Sequence, residues 1–586
     1  MRPGGEERPE SHPIRGRLGP AVLLAAYALL LGRLFEPAIF TPDANGYFSQ
    51  GARLANTGRL SFTLDAPVQY VGIHWLRAPS GEYRSRYPAG LALPIALLYR
   101  AFGPEAAVVL NAVLAWLAVL GTGQLGRRLA GAGWGWASAA LLALNPTFLR
   151  HALACDSHMA VTVLLVWGLV LLARWGEHGR TWEAAGAGLL AGCIPTVRYP
   201  ESLYAAGIAA FLLAHVARDR RRWKGALAAA TAALVPIVPL LFYNHRAFGA
   251  FWRTAYAWTN EQTGFGWSYF RLHFGQYLRF LLGDGLGFLA APGLFGLARW
   301  CVRRDTRPLG LATTLIVVPT LLLYMAYYWA PSQAAQGSLR FLLPLFPVLL
   351  IAAADALRAG MASWPRPARI AAAAALLTLQ LAWGAPLAAA SVRILRHNKR
   401  VLHLATAALR EAAPAGSVVL ASPRFLQHLD YVQEWRLADP TLARPDRGRD
   451  VLEGVEDDDT PRPQQAGKRG FQTARYEGLS PLEREAAFAG DVLEWAAGRP
   501  IFFAGTPAEL AALRGVRLHA DNLVVVKRVD MPSAPPPPDA GRPGRTPFTP
   551  RPGASAAAPS DPRAAPLRRM RATLGHQGFE ELKNRH

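Results

Sequence analysis

The chain has 586 residues, 52% hydrophobic and 18% charged, with a formal net charge of +23. Its apolar residues are gathered into repeated blocks instead of being spread at the spacing of a soluble helix, which excludes an ordinary water-soluble domain and indicates a polytopic α-helical membrane protein. Arginine-rich patches recur between those blocks, where topology accounts for them, and no recognition motif accompanies the charge, so a nucleic-acid partner is not expected.

Taken in chain order, a basic segment 1–17 precedes a first span near residues 18–40. Arg15 and Arg17 before an apolar run resemble a signal peptide, but no small-residue cleavage site precedes Pro42, so the span is read as retained. Further spans are predicted at about 105–126, 132–150, 156–174, 182–197, 199–217, 225–245, 284–301, 308–329, 339–358 and 369–391, roughly eleven in all. With the N-terminus inside, Arg127-Arg128, Arg174 to Arg180, Arg218 to Lys224, Arg299 to Arg307 and Arg358 to Arg369 share the cytoplasmic side. That agreement requires Leu91 to Phe102 to be a lip or re-entrant helix. Arg393, Arg396, Lys399 and Arg400 lie on the opposite side and are outweighed.

The transmembrane unit is therefore 18–392, with a first outer loop and lip helix at 41–104. Residues 393–530 read as a small extracytoplasmic α/β domain: an amphipathic helix Leu402 to Arg410, strands at 417–421, 500–504 and 523–529, and a flexible charged insertion at 444–475. The Pro- and Arg-rich tail 531–586 is expected to be disordered. Cys155, Cys193 and Cys301 offer neither a disulfide framework nor a metal spacing.

The chemistry-bearing residues gather at the outer ends of spans. Asp43 follows the first span, and a carboxylate beside the apolar boundary is either a general base or a loop acid capping a helix Gly46 to Thr57. Asp156 and His158 open the fourth span, Asp156 as a second active-site carboxylate or as a helix cap. A metal site built from His74, His151, Asp156 and His158 is disfavoured, since residues two apart on a helix point apart. No cofactor is called for, although a divalent metal is compatible.

Arg198, followed by Tyr199, and Arg340 either snorkel to the interface or hold a phosphate through the guanidinium fork. Arg246 can supply a third cation. The aromatic loop Phe251 to Tyr277 suits an interfacial belt or stacking on sugar or lipid. Carboxylate, cations and an apolar approach together suggest that an acceptor hydroxyl, deprotonated by Asp43, attacks the anomeric carbon of a sugar carried on a lipid phosphate whose leaving charge arginines neutralise.

At these residues the sequence resembles the GT-C superfamily of polyprenyl-phosphate-sugar-dependent glycosyltransferases, especially the bacterial branch related to protein mannosyltransferases and aminoarabinose transferases. The resemblance covers about 18–392 and rests on Pro42-Asp43-Ala44-Asn45-Gly46-Tyr47-Phe48, Arg86-Tyr87-Pro88-Ala89-Gly90, Asn145-Pro146 with Asp156, and Arg340-Phe341-Leu342-Leu343-Pro344. It implies a GT-C fold, Asp43 as base, Tyr47, Arg86 and Tyr87 at the substrate, a lipid-linked sugar donor, and an acceptor glycan, lipid or protein. Ala44 stands where the mannosyltransferase branch has Glu, which argues against protein O-mannosylation. The competing readings are a lipid or solute transporter without glycosyl transfer, and a membrane-anchored scaffold.

Overall fold

The computed structural model describes residues 15–78, 80–259, 261–328, 335–443, 472, 475–504 and 523–525. Among the described residues seven helical segments are long and apolar enough to cross a membrane: Pro104–Leu129, Ser157–His178, Pro200–Arg218, Arg220–Phe248, Arg307–Met325, Gly337–Gly360 and Arg366–Ala412. Shorter apolar helices occupy Leu18–Leu34, Ala89–Phe102 and Gly287–Val302, and Thr181–Val197 is a further helix of 17 residues. The chain is a multi-pass helical membrane protein, and helix lies over every predicted span.

Two spans differ in form from expectation. The predicted span 132–150 is two helices, Ala132–Ala143 and Pro146–Ala154. Pro146 disfavours helix at the preceding residue, and the Asn145 side chain caps the new start by accepting from the Phe148 amide at 3.0 Å.

The last span and the amphipathic helix after it are one helix, Arg366–Ala412, of 47 residues. At 1.5 Å per residue it is about 70 Å long, more than twice the hydrocarbon thickness. Arg393, Arg396, Lys399 and Arg400 ride on its extension. Arg396 pairs with Glu36 at 3.0 Å, and Lys399 donates to the Leu153 carbonyl at 2.8 Å. Two of these cations are thus engaged by protein partners.

The lip helix is present as Ala92–Phe102, too short to cross a bilayer, and it packs against Pro42–Thr57. Between them the first loop folds into a three-stranded antiparallel sheet, with β1 Ser61–Phe62 and β2 Trp75–Arg77 flanking β3 Tyr83–Ser85. The sequence reading had no strands here.

Beyond the long helix, β4 Val418–Ala421, β5 Arg436–Ala438, β6 Ile501–Ala504 and β7 Leu523–Val525 form a parallel sheet in the order β5-β4-β6-β7. β4 and β6 are buried throughout, as strands covered on both faces must be. Helices Pro423–Val432 and Pro481–Ala496 complete the unit, and neither was anticipated. Within the proposed insertion and tail, 444–471, 473–474 and 531–586 lie outside the described residues.

This α/β unit is fastened to the first loop. The Tyr70 amide donates to Leu437 at 2.7 Å and the Asp439 amide to Val68 at 2.9 Å. The Asn45 amide side chain donates to the Gln427 carbonyl and to Asp430, both at 2.9 Å, and Arg53 pairs with Asp430 at 2.8 Å.

Candidate active site

Helix Pro42–Thr57 begins two residues earlier than a cap at Asp43 would allow. Thr41 is the N-cap, its hydroxyl accepting from the Ala44 amide at 3.3 Å, with Pro42 in the first helical position. Asp43 is consequently not needed as a cap, and its carboxylate turns to other partners. At the far end Gly58 closes the helix at φ 68°, a left-handed conformation that favours glycine.

Three side chains from three parts of the chain converge on that carboxylate. The Tyr87 hydroxyl donates to it at 2.6 Å, His74 Nε2 lies 3.2 Å away, and Arg340 Nη2 pairs with the other oxygen at 3.0 Å. Tyr87 reaches this position because its ring lies against the backbone at Gly46, where a Cβ would come within 2.5 Å of the ring. Tyr47 stacks on Tyr87 with ring centroids 4.1 Å apart and donates to the Val197 carbonyl at 3.3 Å. Burial works to raise the Asp43 pKa, but the Arg340 charge, His74 and the Tyr87 hydroxyl together hold it well below the usual carboxylate range. The side chain keeps 27% exposure, so the ionised oxygens stay reachable.

Asp156 is a helix cap, one of the two readings of it, and has a second partner besides. Asp156 caps Ser157–His178, accepting from the His158 amide at 3.1 Å, while its other oxygen is hydrogen-bonded to His151 Nδ1. Cys155 immediately before it takes the left-handed conformation at φ 62°, which ends one helix and lets the next begin. Arg340 and Arg150 both interact electrostatically with Asp156. Arg340 therefore pairs with Asp43 and acts on Asp156 through its charge alone.

Arg198 is buried behind this group. It donates to Glu201 at 2.8 Å, to Ser157 at 3.3 Å and to Tyr324 at 3.2 Å, and stands 3.5 Å from His158 Nδ1. Phe341 lies between the cations, its ring 4.9 Å from the Arg340 guanidinium and 5.7 Å from that of Arg198. Snorkelling is not what either arginine does, since each is engaged inside the protein.

Arg86 pairs with Glu261 at 2.5 Å and sits over the Tyr256 ring, not against Asp43. Tyr199 donates to Asn244 at 2.9 Å and packs edge-on against Tyr256, at the margin of the group. Burial pushes the Tyr256 phenol up to about 12. Arg246 is exposed, and no ion pair joins it to the site among the described residues. The third cation near the carboxylates is Arg150, which the sequence reading did not single out.

The four-residue metal reading comes apart in space, with His74 on Asp43 and His151 on Asp156. Among the described residues no group of three or more His, Cys, Asp or Glu is arranged to hold a metal ion. Residues missed by sequence reasoning include Glu201, Glu261 and Tyr324. Glu201 had a local signal, a carboxylate three residues after a buried arginine. Tyr324 and Glu261 had none, because their partners are remote in sequence.

No family model matches the sequence, and no curated protein matches it. Among solved structures, ArnT from Cupriavidus metallidurans in the apo state aligns with a TM-score of 0.53 at 16% identity, over 85% of this chain and 94% of that one. The same enzyme bound to undecaprenyl phosphate aligns at 0.50 and 15% identity, over 72% of this chain and 86% of that one. With 86–94% of those chains covered, the fold of this chain is that of the ArnT structures, a multi-pass helical membrane architecture.

Proposed function

We propose that this protein is a membrane glycosyltransferase that moves a hexose or pentose from a polyprenyl-phosphate donor to an acceptor on the outer side of a bacterial inner membrane. The observation that carries the reading is the Asp43 carboxylate, free of capping duty, ionised, partly exposed, and paired with an arginine that also faces a second acid. The acceptor is a hydroxyl of a glycan, lipid or protein. In this reading 1–17 is cytoplasmic and 393–530 is an extracytoplasmic domain closing over the first loop.

The chemistry runs in one displacement. Asp43 takes the proton of the acceptor hydroxyl, the oxygen bonds to the anomeric carbon, and the bond from that carbon to the phosphate oxygen breaks, its electron pair leaving on the lipid phosphate. Arg340, with Arg198 and Arg150 nearby, offsets the charge on that leaving group, so no proton donor is required. A phosphate seated at Arg340 competes with Asp43 for the guanidinium, and the acid gains basicity when the donor is in place. Ionic pairing in the empty site and general-base action in the loaded one are thus compatible. This route needs no metal and no organic cofactor.

The ArnT structure bound to undecaprenyl phosphate supports a lipid phosphate as the ligand class. The test is Asp43→Asn in purified full-length protein, offered a panel of labelled polyprenyl-phosphate sugars with membrane-lipid and glycan acceptors. Transfer should fall by about 10²–10⁴-fold while binding of the polyprenyl phosphate persists. Wild-type-like transfer by a well-folded variant would sink the assignment.

A further inference from the structure

The basic turn joining Gly337–Gly360 to Arg366–Ala412 takes no part in that chemistry. Arg340 and Arg358 lie 18 residues apart on one helical segment, about 27 Å along a helix axis, so Arg358 is at the opposite end of the bundle from Asp43. There a cavity of about 570 Å³ opens between Ala132–Ala143, Phe346–Gly360 and Arg366–Ala412. Its walls are apolar, with Trp134, Leu289 and Leu377 among them, and its rim carries Arg358, Arg366 and Arg369. The volume falls within the roughly 300–1,000 Å³ of ordinary ligand sites.

Two observations say what fills it. The membrane-crossing window of Arg366–Ala412 is only 11% buried, against 89% for Gly337–Gly360, so the long helix stands off from its neighbours and leaves an apolar groove within reach of the bilayer. The rim carries uncompensated positive charge. Asp355 is fully buried and answers Arg358 at 2.9 Å, but the same carboxylate also pairs with Arg299 and lies 3.8 Å from Arg303. Arg366 and Arg369 are exposed and have no acidic partner among the described residues.

We propose that this cavity binds an anionic glycerophospholipid, its acyl chains between the helices and its phosphate on Arg366 and Arg369. Apolar walls exclude a free inorganic anion as the natural occupant, because most of the cavity would stay unfilled. Guanidinium forks at the rim favour a phosphate over a neutral headgroup, and basic pockets between membrane helices at a cytoplasmic face hold anionic headgroups on this principle. The site is structural or regulatory, and it stands whether or not the opposite end transfers sugars.

The full-length purified protein tests this by native mass spectrometry after incubation with phosphatidylglycerol, with phosphatidylcholine or with inorganic phosphate. Phosphatidylglycerol should be retained and should raise the unfolding temperature. The double variant Arg366→Gln/Arg369→Gln should lose on the order of tenfold or more in that affinity, with phosphatidylcholine retention unchanged. Gly133→Leu fills the cavity where an added Cβ meets nothing within 4 Å, and should lower retention without altering charge. Equal retention of the two lipids by the wild type, undiminished phosphatidylglycerol on the double variant, or displacement of the lipid by inorganic phosphate would each overturn the proposal.

Discussion

A carboxylate ringed by a guanidinium, an imidazole and a phenol has its basicity set by which of them withdraws. For Asp43 the strongest stabiliser of the charged form is Arg340, followed by His74 and Tyr87. The group is depressed, so it is ionised at neutral pH and is lost as a base only when pH falls through its folded value. In Arg340→Gln the stabilising charge is gone, and the acid limb of kcat/KM against pH should move to higher pH. Tyr87→Phe removes one hydrogen bond and should move the limb the same way by less. An unmoved limb in both variants would show that Asp43 is not the titrating base. The Arg340 variant should also raise the donor KM, since it removes the proposed phosphate ligand, whereas Tyr87→Phe should leave that KM close to its wild-type value.

The elements that hold Asp43 are tied to the elements that follow the membrane part. Asp430, on Pro423–Val432, receives both Asn45 and Arg53 from Pro42–Thr57, and all three are mostly buried. Removing one partner of a buried pair leaves the other charge uncompensated, although Arg53 also lies over the Phe62 ring at 3.8 Å. Asp430→Ala should therefore cost about 3 kcal/mol. It should be read as a lower unfolding temperature and earlier proteolysis after residue 412, and a melting curve identical to wild type would dismiss the tie.

That coupling was not legible in the sequence, and the reason is physical. Apolar blocks of near-bilayer length identify membrane helices locally, and Val418–Ala421 and Ile501–Ala504 identify themselves as buried strands by their runs of apolar residues. The contact of Asn45 with Asp430 spans 385 positions and leaves no local pattern. The same holds for the site. Asp43, Asp156, Arg198 and Arg340 stand out as candidates because ionisable groups at the ends of apolar spans are conspicuous, whereas Glu261 and Tyr324 became visible only once the fold brought them beside Arg86 and Arg198.

At the scale of the whole molecule, charge is divided between two ends of one bundle. One end holds acids and arginines in paired groups around Asp43 and Asp156; the other holds Arg299, Arg303, Arg358, Arg366 and Arg369, with Asp355 buried among them. Unpaired arginine accumulates on the face that is not translocated, so the Asp43 end should be the outer one. Asn56 and Arg304 are both exposed and belong to opposite ends of that division. Asn56→Cys should react with a membrane-impermeant thiol reagent in intact cells, above the background of the parent's own cysteines. Arg304→Cys should react only after permeabilisation. The reverse pattern would turn the protein over and move the proposed reaction to the cytoplasmic face. Labelling of both positions from one side would mean that the two charged ends do not straddle the membrane, and the separation of transfer site from lipid cavity would fail with it.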